Sequence, residues 1–430
     1  MKPIIQVALD FDELPRALKL AHEAVEGGAD WLEVGTPLLK SEGMEAVRAL
    51  PKEFPDRRIV CDTKTMDAGR AEMEMAAKSG ANIAVVMGIA SDETIRDAIR
   101  AGKHYGIEVA VDLMEVVDPA ARAKQVAEWG ADQICVHTPI DEQMAGRISF
   151  DRVKAVAAAA DLPVAAAGGI NSETAAEAIA AGAGIIIVGG ALTKAKDARQ
   201  AAAELREAVD EGIKIETKLY KRAASDDEIR KVFELASTRN SADGNHRMPC
   251  LYGIRPITPD CKMVGRAVTV RTYPGDWAKP VEAIDIAGPG SVVVIAAGGA
   301  PPAVWGELAT NTSVQKGLAG VVIDGAIRDT PEIRKLNFPA FARHICSNAG
   351  EPKGMGEIGV PIVISGIRIC PGDWIIGDDD GVIVVPKQRA AETANRGQDC
   401  YEKEIRIRTE IVEGKSTLAQ VQNLLRWEKV

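Results

Sequence analysis

The first half of the chain repeats one unit eight times, and this constrains its fold more than any other feature. Short β-rich runs stand at Ile4–Leu9, Trp31–Val34, Arg58–Cys61, Asn82–Val86, Glu108–Val111, Gln133–Val136, Pro163–Ala166 and Ile185–Val188. Their ends are spaced by roughly 21 to 31 residues, and amphipathic helical stretches such as Leu14–Glu26 and Ala120–Trp129 fill the gaps. Eight strand-plus-helix units in about 210 residues is the arithmetic of a (β/α)8 barrel of the TIM type. The alternative, a doubly wound open sheet, has no reason to carry eight equivalent units.

At 430 residues the chain is long enough for two or three domains. Apolar residues at 46% and charged residues at 27% exclude a disordered or fibrous protein, and 4% aromatics with abundant Ala and Gly suit helices packed on a sheet through small side chains. A net charge of −10 gives no general attraction to nucleic acid or to anionic membranes, so neither is expected as a partner. The longest apolar runs, Gly184–Leu192 and Val292–Trp305, are broken by Gly or Pro and fall short of a membrane span, and Ile4–Leu9 is too short for a signal core. Seven widely spaced cysteines without a CxxC pair read as reduced thiols, with no disulfide frame and no zinc site; a cytoplasmic protein is expected.

The barrel is assigned to residues 1–210, a charged helical or partly flexible linker to 211–227, and a second α/β domain to 228–430. The linker carries Glu216, Lys218, Lys221, Arg222, Asp226 and Asp227, and Glu228 follows it, a pattern usual for a solvated face. In the second domain strand-like runs stand at Val264–Arg271, Ser291–Ala297, Gly320–Asp324, Ile362–Ile369 and Trp374–Val385, and a charged helix runs from about Gln388 to Val412. Asp378-Asp379-Asp380-Gly381 reads as a hairpin turn, because a calcium loop needs its ligands spread over a longer segment.

Polar residues at the C-terminal strand ends of such a barrel line its active site. Those ends carry Asp10, Glu33, Asp62-Thr63-Lys64 with Asp67, Asp112, His137, Gly168-Gly169 and Gly189-Gly190. Any one Asp is commonly a cap, but a His, a Lys and several carboxylates at one rim are not so easily explained. Asp62 and Lys64, two apart on a strand, face the same side. Clustered carboxylates favour a divalent cation, and oxygen ligands suit Mg2+. The Gly turns predict bare backbone N–H groups for a phosphate. The residues thus predict a Mg2+-assisted enzyme acting on a sugar phosphate through an enediolate, with His137 moving a proton.

Val-Ala-Leu-Asp10, Glu33-Val-Gly-Thr, Asp62-Thr-Lys64-Thr-Met-Asp67, Val-His137-Thr and Ala-Gly168-Gly169-Ile resemble the orotidine-5'-phosphate decarboxylase superfamily, and within it the 3-hexulose-6-phosphate synthases. The resemblance covers about residues 1 to 208, and Asp-x-Lys-x-x-Asp is its most specific element. It implies a reversible condensation of ribulose 5-phosphate with formaldehyde using Mg2+ or Mn2+. Glu33 and Asp62 are then metal ligands, His137 the acid/base, Lys64 the group that stabilises the enediolate, and Asp67 a residue that reaches a neighbouring subunit's site in a dimer. In the sister activity, 3-keto-L-gulonate-6-phosphate decarboxylase, an Arg follows the His closely. Here His137-Thr138-Pro139-Ile140-Asp141-Glu142-Gln143 resembles the synthase, with Pro139 where Gly is more usual.

In the second domain Gly298-Gly299, Trp305-Gly306-Glu307-Leu308 and Asp324-Gly325-Ala326-Ile327-Arg328-Asp329 with Glu332 read as a Gly-rich loop, a helix start and a strand-end Arg-Asp pair. Such a pair is either a surface ion pair beside a capped helix or an Arg fork for a carboxylate next to an Asp for a cation. With Val264–Val270 and Gly372-Asp373-Trp374, this stretch resembles, over about residues 228 to 412, the family of the regulator of ribonuclease activity A and the class II 4-hydroxy-4-methyl-2-oxoglutarate aldolases. The resemblance implies cleavage of a 2-oxo acid to pyruvate, its carboxylate on Arg328 and the Gly306, Glu307 and Leu308 amides, with Asp329 holding Mg2+ through water and Glu332 in support. Asp243-Gly244-Asn245-His246 departs from the family's Asp-Ala-Leu. A non-catalytic ribonuclease-binding or oligomerisation module is the alternative. Two-fold and three-fold interfaces in one chain close at six copies, so a hexamer is expected.

Overall fold

The computed structural model describes residues 2–217, 219 and 221–421. The chain divides into two units: unit 1 takes residues up to Gln143, Arg147–Arg222 and the stretch from Glu402, and unit 2 takes Met144–Gly146 and Ala223–Tyr401.

Unit 1 is built on β1 (Ile4–Ala8), β2 (Trp31–Val34), β3 (Arg58–Thr65), β4 (Ile83–Met87), β5 (Glu108–Asp112), β6 (Gln133–His137), β7 (Val164–Ala167) and β8 (Ile185–Val188). All pair in parallel in chain order, and β8 returns to β1, closing the barrel. Each helix has its own local cause. Asp92–Tyr105, for example, is started by Ser91, whose Oγ accepts the Thr94 N–H at 3.1 Å, and stopped by Gly106 at a φ of +76°.

Side-chain alternation along the strands decides what faces the lumen. Ile5, Val7 and Leu9, Leu32 and Val34, Ile59 and Cys61, Val109 and Val111, and Ile134 and Val136 all belong to the core between strands and helices. The intervening positions therefore point inward. Val60, Ile83, Val85 and Ala110 form one lumen cluster, and Cys135, Ala165, Ala167 and Ile185 another, with Trp31 packed against both. The same inward parity continues to Asp10, Glu33, Asp62, Asp112 and His137.

Among the described residues between the Ala198–Glu211 and Asp226–Leu235 helices none is helical, unlike one form of the sequence expectation, while Asp226 and Asp227 open the second helix. Ile215 N–H donates to the Ser172 carbonyl at 3.1 Å, the Ser172 hydroxyl donates to the Ile215 carbonyl at 2.9 Å, and Lys221 pairs with Glu173 at 2.8 Å. Turn partners in unit 1 satisfy its backbone in place of a helix ladder. Lys218 lies outside the described residues.

Unit 2 contains β9 (Arg255–Pro256), β10 (Met263–Arg271), β11 (Ser291–Ala296), β12 (Ala303–Trp305), β13 (Gly320–Ile327), β14 (Ala340–Ile345), β15 (Glu357–Ile358), β16 (Ile362–Ile364), β17 (Ile367–Ile369), β18 (Trp374–Asp378) and β19 (Gly381–Val385). The main sheet has the order β19-β18-β10-β11-β13-β14-β9, with β12 against β13 and β15 against β10. β10, β11, β13 and β14 run parallel, as expected of an α/β domain. The run 362–369 is two strands, not one: Ser365 and Gly366 take φ values of +51° and +78° and fold it into a tight hairpin. Asp379 and Asp380 likewise turn β18 into β19, which is the expected hairpin. The helix Ala390–Val412 has its residues from Glu402 onward in unit 1.

Candidate active sites

The barrel's inward strand ends assemble a charged cluster. Glu33 and Asp62 are buried, and Gln6, one turn of the pleat below on β1, donates from Nε2 to Glu33 Oε2 at 2.6 Å. Lys64 Nζ lies 2.7 Å from Asp62 Oδ2, as the two-residue spacing predicts, but by an unexpected route. Lys64 takes a φ of +46°, where the β3–β4 register slips between Cys61 and Thr65. The bulge re-aims its ammonium onto the carboxylate. Thr36 Oγ1 donates to the same Oδ2 at 2.7 Å. Two strands further round the rim, at the end of β5, Asp112 is buried; its Oδ2 lies 3.1 Å from His137 Nδ1 and its Oδ1 accepts the Met114 N–H at 2.9 Å.

These contacts set the charge states. Burial, reinforced by Asp62 and Asp10, pushes the Glu33 carboxyl up to about 8. Burial also works against the Lys64 ammonium, but the Asp62 carboxylate, with Asp112 and Glu33 behind it, outweighs this and holds its pKa above the ordinary lysine range. Burial works against the Asp112 carboxylate, and the hydrogen bond and charge of His137 together with Lys64 overcome it, so its pKa falls below the usual value. Asp10 stands at the exposed rim, but the surrounding strand ends displace enough water from its carboxyl to raise its pKa; Asp62 adds to this, and Lys64, His137 and Lys194 oppose it. Burial pushes the Cys61 thiol up to about 12 and raises Cys135 too, so both are neutral core groups.

The sign of the Glu33 shift is testable. A carboxyl whose pKa rises from 4.5 to about 8 on folding holds a proton in the folded barrel that the unfolded chain has lost. Its contribution to stability is complete below the unfolded value and disappears as pH rises through the folded one. In EDTA, the melting temperature of Glu33→Gln should therefore fall less between pH 5 and pH 8 than that of the wild type, measured by calorimetry. Parallel curves would remove Glu33 as the titrating group.

The other barrel positions take different places. Asp67 is exposed and accepts the Ala68 N–H at 2.7 Å, outside the charged cluster. Gly168 and Gly169 have φ values of +92° and +74°, and the next helix starts only at Ala175, so this turn is not itself a helix N-terminus. A Cβ on Gly168 would lie 2.8 Å from Gln143 Nε2, and one on Gly169 2.5 Å from Ile148 Cδ1. At Gly189 a Cβ would come within 2.7 Å of Asp10 Oδ2, so the missing side chain makes room for that carboxylate. Gly190 opens the short Gly190–Thr193 helix. Gln6, Thr36 and Lys194 were not singled out from sequence. Gln6 leaves a signal as an amide in an otherwise apolar strand, and Thr36 closes the Glu33-Val-Gly-Thr motif, whereas Lys194 leaves none.

In unit 2, Gly306 caps the helix Glu307–Gln315, and Trp305 Nε1 donates to Thr310 Oγ1 at 2.9 Å. Asp329, at a φ of +57°, accepts the Glu307 N–H on Oδ2 at 3.1 Å and stands 3.6 Å from Arg328 Nε. A Cβ on Gly306 would meet the same Oδ2 at 2.5 Å, so glycine admits the carboxylate to the helix start. Arg328 and Asp329 are both accessible, and Leu308 is 77% exposed beside them. The Glu307 carboxylate accepts from Asn311 Nδ2, so only its backbone N–H meets Asp329, and Glu332 lies exposed on the first turn of Thr330–Lys335. Unforeseen were Arg343, which donates to Asp324 Oδ1 at 2.6 Å, and His344, whose Nε2 lies 2.9 Å from the Gly299 carbonyl.

Among the described residues no three His, Cys, Asp or Glu side chains converge to enclose a metal ion. Glu33 and Asp62 nonetheless fit a divalent cation, since Mg2+ is commonly held by one or two carboxylates while water and substrate fill its remaining positions. Burial first, and then the neighbouring Asp62 and Asp10 carboxylates, raise the Glu33 pKa, and a divalent cation held by Glu33 and Asp62 would oppose that shift.

A sheet closed into a barrel with an acidic, His- and Lys-bearing rim, joined to an Arg-Asp-bearing α/β unit, has counterparts among known proteins. Residues 3–205 match the model of the orotidine 5'-phosphate decarboxylase / HUMPS family, and residues 234–384 match the RraA-like family, described as Aldolase/RraA. The 3-hexulose-6-phosphate synthase of Methylomonas aminofaciens is 41% identical over 203 residues, 47% of this chain and 97% of that protein. That of Bacillus subtilis is 36% identical over 209 residues, 48% of this chain and 99% of that protein. A structure of the RNA-processing inhibitor RraA from Thermus thermophilis is 28% identical, with a TM-score of 0.33, covering 35% of this chain and 93% of that one. The chain belongs to the orotidine 5'-phosphate decarboxylase / HUMPS family through its barrel. Its second half is an RraA-like domain, so the protein is a fusion of the two.

Proposed function

We propose that the barrel condenses ribulose 5-phosphate with formaldehyde, reversibly, to 3-hexulose 6-phosphate, and that the RraA-like domain cleaves a 2-oxo acid. One observation carries the first reading: a single parity of inward positions puts Asp10, Glu33, Asp62, Asp112 and His137 at one rim, with His137 hydrogen-bonded to Asp112. Asp112 occupies Nδ1, fixing the imidazole's orientation and leaving Nε2 for proton transfer. The substrate's C1 gives up a proton, a bond forms between C1 and the formaldehyde carbon, and the former carbonyl oxygen takes a proton. His137 is the group that carries these protons. Lys64 places positive charge where the enediolate oxygen develops negative charge. Glu33 and Asp62 would hold Mg2+ or Mn2+, which when bound adds positive charge to the same region. The glycines at 168, 169, 189 and 190 line the side assigned to the phosphate.

The second reading rests on an accessible Arg328 beside the Gly306–Leu308 helix start, suited to a carboxylate, with Asp329 next to it. The run after His137 lacks the Arg that marks the sister decarboxylases, which favours the synthase reaction. Treatment with EDTA should remove formaldehyde consumption, and Mg2+ or Mn2+ should restore it. Full activity in chelator would overturn the metal assignment.

A further inference from the structure

Arg406 lies beyond the residues matched by either family model, which end at 205 and 384. It belongs to unit 1 and is buried there, its side chain 8% exposed. Its Nη1 donates to the Ala195 carbonyl at 3.0 Å, its Nε to Glu410 Oε1 at 3.2 Å, and its Nη2 stands 3.6 Å from Glu23 Oε2. Glu410 is also reached by Arg16 at 3.3 Å, and Glu413 pairs with Lys196 at 3.0 Å. The helix and the turn that ends it thus contact consecutive residues: Arg406 bonds the Ala195 carbonyl, and Glu413, just past Val412, forms an exposed ion pair with Lys196.

Those residues end the segment that leaves β8 and passes the catalytic cluster. Gly189 is packed against the Asp10 carboxylate, and Lys194, itself buried, carries a charge that acts on Asp10. Between them stands only the four-residue helix Gly190–Thr193, too short to fix its own position. A buried guanidinium on a backbone carbonyl, neutralised by two carboxylates, supplies the missing constraint. Removing it leaves the Ala195 carbonyl without this donor and two carboxylates without this cation.

We infer that Arg406 is a positioning residue for the barrel's active site, holding the 189–195 segment against Asp10 by its bond to the Ala195 carbonyl. The helical residues 402–412 thus belong with the barrel's unit and brace the segment that follows β8. The kinetic consequence rests on the synthase reading; the positional one does not.

Arg406→Met and Arg406→Lys in the full chain, with Glu23→Gln as a milder variant should Arg406→Met fail to fold, test the inference by hydrogen–deuterium exchange and by steady-state kinetics. Peptides covering 189–196 should exchange about tenfold faster in Arg406→Met, while the other strands of the barrel keep wild-type protection. The KM for ribulose 5-phosphate should rise about tenfold with kcat within about twofold, as for lost binding away from the reacting atoms, and Arg406→Lys should recover part of it. Wild-type exchange at 189–196 in a folded variant, or faster exchange spread evenly over the barrel, would overturn the inference. A wild-type protein that consumes no formaldehyde would instead sink the synthase reading, and the exchange data would still decide the role of Arg406.

Discussion

Replacing His137 by alanine should lower kcat for formaldehyde condensation by about 10²–10⁴-fold, the usual worth of a positioned acid/base, while the barrel stays folded. The side chain sits at the end of β6 with its imidazole 24% exposed, so its loss opens no core cavity. Its partner gives a graded control. Asp112→Asn keeps the shape but removes the carboxylate that orients Nδ1, and its defect should be smaller than that of His137→Ala. Asp62→Ala should be at least as damaging as His137→Ala, because it removes the partner of both Lys64 and Thr36. Stopped assays of formaldehyde consumption alongside circular dichroism measure both. A folded His137→Ala variant with near-wild-type turnover would end the assignment.

Replacing Arg328 by alanine should lower kcat/KM for 2-oxo acid cleavage by the RraA-like domain about 10–100-fold, the worth of one charge-assisted carboxylate contact. Arg328 and His137 belong to different units, and their defects should be independent. Arg328→Ala should therefore leave formaldehyde consumption at the wild-type rate. Pyruvate release coupled to a reporter enzyme, over a panel of 2-oxo acids, reads the first effect. If the wild-type protein releases no pyruvate from any of them, the domain is better read as a binding or assembly module.

Much of the barrel and its rim was legible because two periodicities agree. The strand-helix repeat places the strand ends, with Trp31–Val34 and Ile185–Val188 at their observed bounds, and the two-residue alternation turns Glu33, Asp62, Asp112 and His137 to the same side as the lumen residues. What escaped depends on backbone outside those repeats. The left-handed Lys64 that aims its ammonium at Asp62 arises from a bulge, and bulges leave no periodic trace. Gly189 reads in sequence as a bare amide, whereas the structure uses its missing side chain to seat Asp10. Ser365-Gly366 splits an apolar run that periodicity alone reads as one strand. The bond from Arg406 to Ala195 joins residues 211 positions apart, beyond any local pattern.

The proposed reaction of the barrel joins a one-carbon aldehyde to a pentulose phosphate. Incubating the intact protein with ribulose 5-phosphate, carbon-13-labelled formaldehyde and Mg2+, and following the label by carbon NMR, tests it directly. The formaldehyde signal should decay and the label appear in the terminal hydroxymethyl carbon of 3-hexulose 6-phosphate, with no product in EDTA. Unconsumed formaldehyde, together with carbon dioxide release from 3-keto-L-gulonate 6-phosphate, would contradict it and place the barrel with the decarboxylases.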